Sequence, residues 1–195
     1  MVDRTPSGED TTIDQADRFL ARLAAVRQRL AEHAASIEAH AGLTEADART
    51  GERWDQGQVW AHLAEFQAYW LGQLGAVVAG SSGGAGASGD GGSSGERGGS
   101  GTGAAVAFGR TVADARRAEI IERDRHLSVA HLQASVDAQA EATAAFLRGL
   151  DRAGWQARGL HPSLGVMAMP AMVERFLIGH LEEHAAQLDG LRPSG

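Results

Sequence analysis

Residues 172–188 read MVERFLIGHLEEHAAQL, and the fold is decided here. Met172, Phe176, His180, His184 and Leu188 recur every fourth residue, and Val173, Leu177, Leu181 and Ala185 widen the same face. That is the apolar stripe of an amphipathic helix. Pro170 suits its first turn, while Gly190 and Pro193 mark its end. Two histidines thus stand where a core is expected. At i and i+4 their imidazoles lie one turn apart on one face and can reach a single ion. Burying two unpartnered imidazoles is costly. A divalent metal removes that cost, because neutral imidazole is a strong ligand for Zn, Ni, Cu or Fe.

A second informative stretch, residues 54–70, reads WDQGQVWAHLAEFQAYW. Asp55 is placed to cap a helix, with Gln58 as its capping-box partner and Trp54 and Val59 at staple spacing. Val59, Leu63, Phe66, Trp70, Leu74 and Val77 form the stripe, which predicts a helix reaching about Ala79. His62 edges onto this apolar face. Three histidines on the inner faces of two helices fit one three-His site of His62, His180 and His184, leaving a fourth position for water or substrate. Gln58 and Glu65 flank His62, and Glu183 adjoins His184; these are the candidates to orient an imidazole. His161, in the loop before the last helix, is the candidate on the substrate side. His180–His184 also fits the H-x-x-E-H pattern of inverted zincins, with Glu183 as base. Those enzymes need a third ligand well downstream, and only 11 residues follow His184.

Working outward, Thr12 and Gln15 open a first helix whose apolar positions run from Ala16 to Ile37, ending near His40 and Gly42. Residues 80–103 hold twelve glycines and six serines among 24 residues. Such a segment buries too little apolar surface to offset its ordering entropy, so a flexible insertion is expected, free to carry the chain back along a bundle. Thr111–Arg125 reads as a short charged helix; Arg116, Arg117, Arg123 and Arg125 among its acids predict a solvated face, not an anion site. A third main helix is expected from about Val129 to Leu150, then a loop over Asp151–Ala168. No useful length alternates with period two. The expectation is an all-α four-helix bundle over 12–190, preceded by a flexible tail over 1–11 and interrupted by the insertion. His33, His40, His126 and His131 read as surface residues, and Met167, Met169 and Met172 as packing.

Composition narrows the function classes. At 195 residues, 43% hydrophobic and 22% charged, the chain suits one full-sized core. A net charge of -7 makes nucleic acid a poor partner. With no cysteine, any metal must be held by His, Asp or Glu. No apolar run approaches the roughly 20 residues of a membrane span and no leader is visible, so a cytoplasmic protein acting on a small molecule is the default expectation.

The stretches Trp54–Trp70 and His161–Leu188 (HPSLGVMAMPAMVERFLIGHLEEHAAQL) resemble the second-helix motif and the last loop and helix of the DinB-like superfamily, which includes mycothiol-dependent maleylpyruvate isomerase-like proteins. The resemblance covers about a quarter of the chain. It implies helices in up-down-down-up order and a divalent metal (Zn, Ni or Fe) held by His62, His180 and His184. It further implies relatives that are thiol-dependent S-transferases or isomerases using mycothiol or bacillithiol, and it allows a homodimer. All 18 basic residues are Arg; with the many Ala and Gly this suggests a GC-rich genome and favours mycothiol. Three readings stay open at this point: a metal-dependent enzyme, a non-catalytic metal-binding protein of the same fold, and a structural bundle without metal.

Overall fold

The structure, a computed structural model, describes residues 8–36, 42–48, 51–83, 105–111 and 115–193. Helix α1 spans Gly8–Ala35 and α2 spans Gln56–Gly83. The short α3 (Ala115–Asp124) leads into α4 (Val129–Gly149), and one turn of helix follows as α5 (Arg152–Gln156). The last helix is continuous in its backbone, running as α6 (Met169–Val173), a π turn (Glu174–Ile178) and α7 (Gly179–Asp189).

Local signals set the helix starts. Asp55 and Gln58 form the reciprocal capping box, with Gln58 N–H donating to Asp55 Oδ1 at 2.8 Å and Asp55 N–H to Gln58 Oε1 at 3.0 Å. Ser128 caps α4 through His131 N–H.

Around the bundle the order is α1, α4, α2, last helix, so α1 and α2 lie on a diagonal. Cross-contacts fix the directions. Asp55 at the start of α2 pairs with Arg125 just before α4, which makes α2 and α4 parallel. Phe19 near the start of α1 stacks on Trp155 beyond the end of α4, so those two run antiparallel. Arg22 reaches Glu174 and Glu182, and Arg29 reaches Asp189, so α1 and the last helix are parallel. The result is the up-down-down-up four-helix bundle. Its core is built from Leu23, Val26 and Leu30, from Leu63 and Leu74, from Leu132 and Leu147, and from Met172, Leu177 and Leu181, all buried. These apolar faces supply the main favourable free energy of folding. No helix among the described residues is long and apolar enough to cross a membrane.

Several expectations are corrected. α1 begins at Gly8, inside the expected tail, and α2 continues to Gly83, inside the expected insertion. Ser81 and Ser82 there return their hydroxyls to the carbonyls of Val77 and Val78, which satisfies them within the helix. The rest of the insertion (84–104) and the expected end of the first helix at His40 lie outside the described residues. His33 is buried rather than exposed, 7% accessible, with its ring 6.5 Å from that of Trp60. The expected loop before the last helix contains an antiparallel hairpin, β3 (Arg158–His161) with β4 (Gly165–Ala168); β2 (Val106–Ala107) joins β3 in parallel. A two-residue pair, β1 (Gly42–Leu43) with β5 (Arg192–Pro193), ties the α1–α2 connection to the end of the chain. Strands this short carry no readable alternation, so periodicity could not reveal them.

The π turn keeps the last helix aimed correctly. In an α-helix four residues overshoot a full turn by roughly 40°, so a stripe of strict fourth-residue spacing drifts around the helix. The wider turn, closed by the Gly179 N–H on the Glu174 carbonyl, takes up that drift, and Met172, Phe176, His184 and Leu188 all stay buried. A Cβ at Gly179 would sit 2.7 Å from the Glu174 carbonyl oxygen. Gly179→Ala is therefore expected to lower stability by about 1 kcal/mol or more in chemical denaturation, although Ala is ordinarily the better helix former. A neutral or stabilising outcome would show that the π turn relaxes freely.

Candidate metal centre

α2 and the last helix are antiparallel neighbours, and this brings His62 against His180 and His184. One ring nitrogen from each lies within 4.8 Å of the others. His62 Nε2 is 2.9 Å from His180 Nε2. At that separation either one nitrogen donates to the other, or both lone pairs face a shared cation. His62 is 1% accessible and His184 7%. Burial is the first cause that holds all three rings below their ordinary pKa, with His184 pushed down to about 4. The rings are therefore neutral at pH 7, the protonation state a ligand needs.

Aromatic side chains wall the cluster. Phe66 stacks on His180 with ring centroids 3.5 Å apart, and Trp54 lies parallel to His184 at 6.2 Å. Trp54 was placed by its staple position before α2, and Phe66 by its turn after His62. The apolar surround raises the local strength of any charge interaction.

The hydrogen bonds set tautomers. His184 Nδ1–H donates to Gln187 Oε1 at 2.7 Å, which leaves Nε2 unprotonated and free to ligate. Gln187 was missed in the sequence, although its spacing of three from His184 on one helix face is a readable signal. Arg117 brings its Nη2 to 3.4 Å from His62 Nδ1 and sets its guanidinium over the Trp54 ring, 5.7 Å from the centroid. This corrects the expectation of a solvated arginine face on α3. Of the four arginines, Arg117 turns toward the histidines and Arg125 pairs with Asp55 and Glu122.

The other candidates fall into different places. Gln58 is engaged in the cap of α2. Glu65 is held by Arg110 through two hydrogen bonds of 2.6 and 2.7 Å. The hydrogen bonds of both thus go to groups other than an imidazole. Glu183 is exposed at the cavity rim. His161 does reach the cavity. Its ring lies beside the stacked pair of Trp70 and Phe176, 5.8 and 5.5 Å from their centroids, and its Nδ1 accepts the Ser163 N–H at 3.2 Å, so the neutral ring carries its proton on Nε2. Burial, and then Arg175, lower its pKa.

The cavity beside the three rings measures about 620 Å³, within the range of small-molecule sites. One wall is the segment after β2. Gly109 adopts φ +87 there and donates its N–H to Gln73 Oε1 at 2.7 Å. A Cβ at this position would strike His161 at 2.7 Å and Trp70 at 3.0 Å, so the close approach requires glycine. Arg110, next in the chain, lies over the Tyr69 ring at 3.9 Å while holding Glu65. A set of three neutral imidazoles, two buried and His180 half-buried, opening on a cavity fits a borderline divalent ion such as Zn, Ni or Fe, with at least one position open.

Comparison with known proteins agrees with this architecture. The profile of the DinB superfamily matches residues 22–188. A solved structure with the same fold is YfiT from Bacillus subtilis, described as a probable metal-dependent hydrolase with an unusual four-helix bundle topology. The likeness has a TM-score of 0.60 at 15% identity and covers 96% of this chain and 89% of that one. No curated protein matches the chain. With a family match that runs from Arg22 within α1 to Leu188 in α7, the chain belongs to the DinB superfamily.

Proposed function

We propose that this chain is a metal-dependent enzyme in which His62, His180 and His184 hold one divalent ion, and that it transfers a thiol nucleophile, mycothiol by preference, to a small molecule or isomerises it. The observation that carries the reading is the convergence of three neutral imidazole donors within 4.8 Å at a cavity large enough for a small molecule. A divalent ion in such a site polarises an electrophile and lowers the pKa of a bound thiol or water. The chain's own residues supply position and environment. Gln187 fixes the His184 tautomer, and Trp54 and Phe66 exclude water from the rings. His161 offers an Nε2–H to a substrate oxygen. The protein has no cysteine, so a thiolate must arrive on a co-substrate. The description of YfiT as a probable hydrolase supports a second reading, with water in place of the thiol.

Elemental analysis of the untagged protein tests the ion directly. About one metal per chain is expected in the wild type and a loss of most of it in both His62→Ala and His180→Ala, with helical circular dichroism retained. A wild type without metal after incubation with Zn or Ni would remove the basis of the reading. Screening thiol-dependent transfer beside simple hydrolysis then separates the two chemistries.

Gln187→Ala is expected to weaken metal binding by roughly 10- to 100-fold through loss of the hydrogen bond that orients His184. Competition with a chelator reads this change, and unchanged affinity would show that the amide is a bystander.

The buried rings also predict how the protein behaves after metal has been stripped. Their folded pKa values lie below the ordinary 6.5, so on acidification the unfolded chain takes up protons that the folded one refuses. Stability of the stripped protein is expected to be full above about pH 6.5 and to fall as pH drops toward about 4, the value for His184. The denaturation midpoint against pH, compared with His184→Ala, checks this.

A further inference from the structure

One buried ring at the cavity has a proton to give and no protein group to receive it. His161 is 6% accessible, and its Nδ1 is taken by the Ser163 N–H. The proton therefore sits on Nε2, which hydrogen-bonds to no protein group among the described residues. That nitrogen is not sealed off as the indole N–H of Trp70 is, and the ring lines the cavity. A second proton would have to go on Nδ1, where it would face the Ser163 N–H. The ring thus stays a neutral donor and makes a poor base. An unpaired donor in an apolar setting is costly unless a ligand supplies the acceptor.

The floor between His161 and the three histidines is aromatic. His161 lies 5.8 and 5.5 Å from the ring centroids of Trp70 and Phe176, which stack on each other at 3.9 Å. Phe66 follows 5.6 Å from Trp70 and stacks on His180. All of these rings line the same cavity. Phe176 precedes His180 by four residues and Trp70 follows His62 by eight, so His161 stands about one to two helical turns, roughly 6–12 Å, from the metal rings. Charge does not decide what lies along this floor. Glu174 and Glu183 line the cavity with Arg175, and Arg110 is already paired with Glu65.

We infer that His161 is the far anchor of the substrate: it donates its Nε2–H to an uncharged carbonyl-type oxygen, while the ion holds the other end and a flat apolar middle lies over Phe66, Trp70 and Phe176. The inference rests on the metal reading above and adds the substrate class to it. A single polar contact in a mainly aromatic pocket fixes orientation and register, while the apolar area supplies affinity. An analogue of the same shape without the oxygen leaves the donor unpaired, so the pocket discriminates against it.

Isothermal titration of the Zn-loaded protein with thiophenol and, separately, 4-acetylthiophenol tests it, with metal content measured on the same samples. The sulfur of each probe ligates the ion, and only the second probe carries a carbonyl at the opposite end of its ring. The two thiols differ in acidity, so the quantity read is the ratio of their affinities, compared between proteins. The wild-type ratio is expected to fall roughly three- to tenfold in His161→Phe and to be kept in His161→Gln, whose amide still donates. In the wild type, the His161 Nε2–H resonance moves downfield with 4-acetylthiophenol and not with thiophenol, a readout that serves if His161→Phe does not fold. An unchanged ratio in His161→Phe, a ratio lost equally in His161→Gln, a resonance that does not move downfield, or a metal-loaded wild type that binds neither probe overturns the inference and leaves the metal reading standing. A wild type that takes up no metal overturns both.

Discussion

Burial of three imidazoles at the contact between α2 and the last helix is the constraint on which the site depends. An imidazole in an apolar interior must stay neutral and must still satisfy two ring nitrogens. The protein meets the first demand with aromatic walls, Phe66 on His180 and Trp54 on His184. It meets the second in part with Gln187 and Ser163, on His184 and His161. What is left is a set of ring nitrogens turned toward one another, 2.9 Å apart at the closest pair. Such a cluster is tolerable in a core when a cation draws the lone pairs together.

The up-down-down-up order serves this contact. Placing α1 and α2 on a diagonal lets α2 and the last helix meet as antiparallel neighbours, so that residues 62, 66 and 70 face 184, 180 and 176 in sequence. The price is a long return between α2 and α4, and the chain uses the end of that return. The segment from Val106 to Thr111 adds a strand beside the hairpin, presses Gly109 against Trp70 and His161, and delivers Arg110 to Glu65. The short α3 that follows carries Arg117 to the rings. The connection thus builds the cavity wall, while the main helices build the core. Surface ion pairs such as Arg27 with Asp137 and Glu141 contribute little stability individually, but they hold the register of the helices that carry the site.

How much was legible follows from the range of each signal. The start of α2 could be read because Trp54, Asp55, Gln58 and Val59 act within five residues of one another, and the observed capping box matches. The fourth-residue stripe with two histidines located the last helix and two of the three rings, and His62 stood out because a polar residue on an apolar face needs a partner. The π turn was not legible, since a change of pitch leaves the pattern of residue types intact. His33 read as surface because its partner Trp60 lies on another helix. Arg117 read as part of a solvated face for the same kind of reason: alternating charge on a short helix carries no sign of which arginine bends inward, and the histidine and tryptophan that draw it in come from distant positions.

The sequence by itself determined the bundle, the starts of α2 and α4 and the identity of the three converging histidines, because helix periodicity and capping are local and burial of a polar residue is visible in a stripe. Tertiary structure alone decided the surroundings that give those histidines a chemistry. Gln187 rather than Glu65 or Glu183 accepts a hydrogen bond from an imidazole, and a guanidinium rather than a carboxylate stands behind His62. The physical reason is that side chains choose partners by distance in space, and the choice among several chemically suitable candidates is made only when the helices have packed.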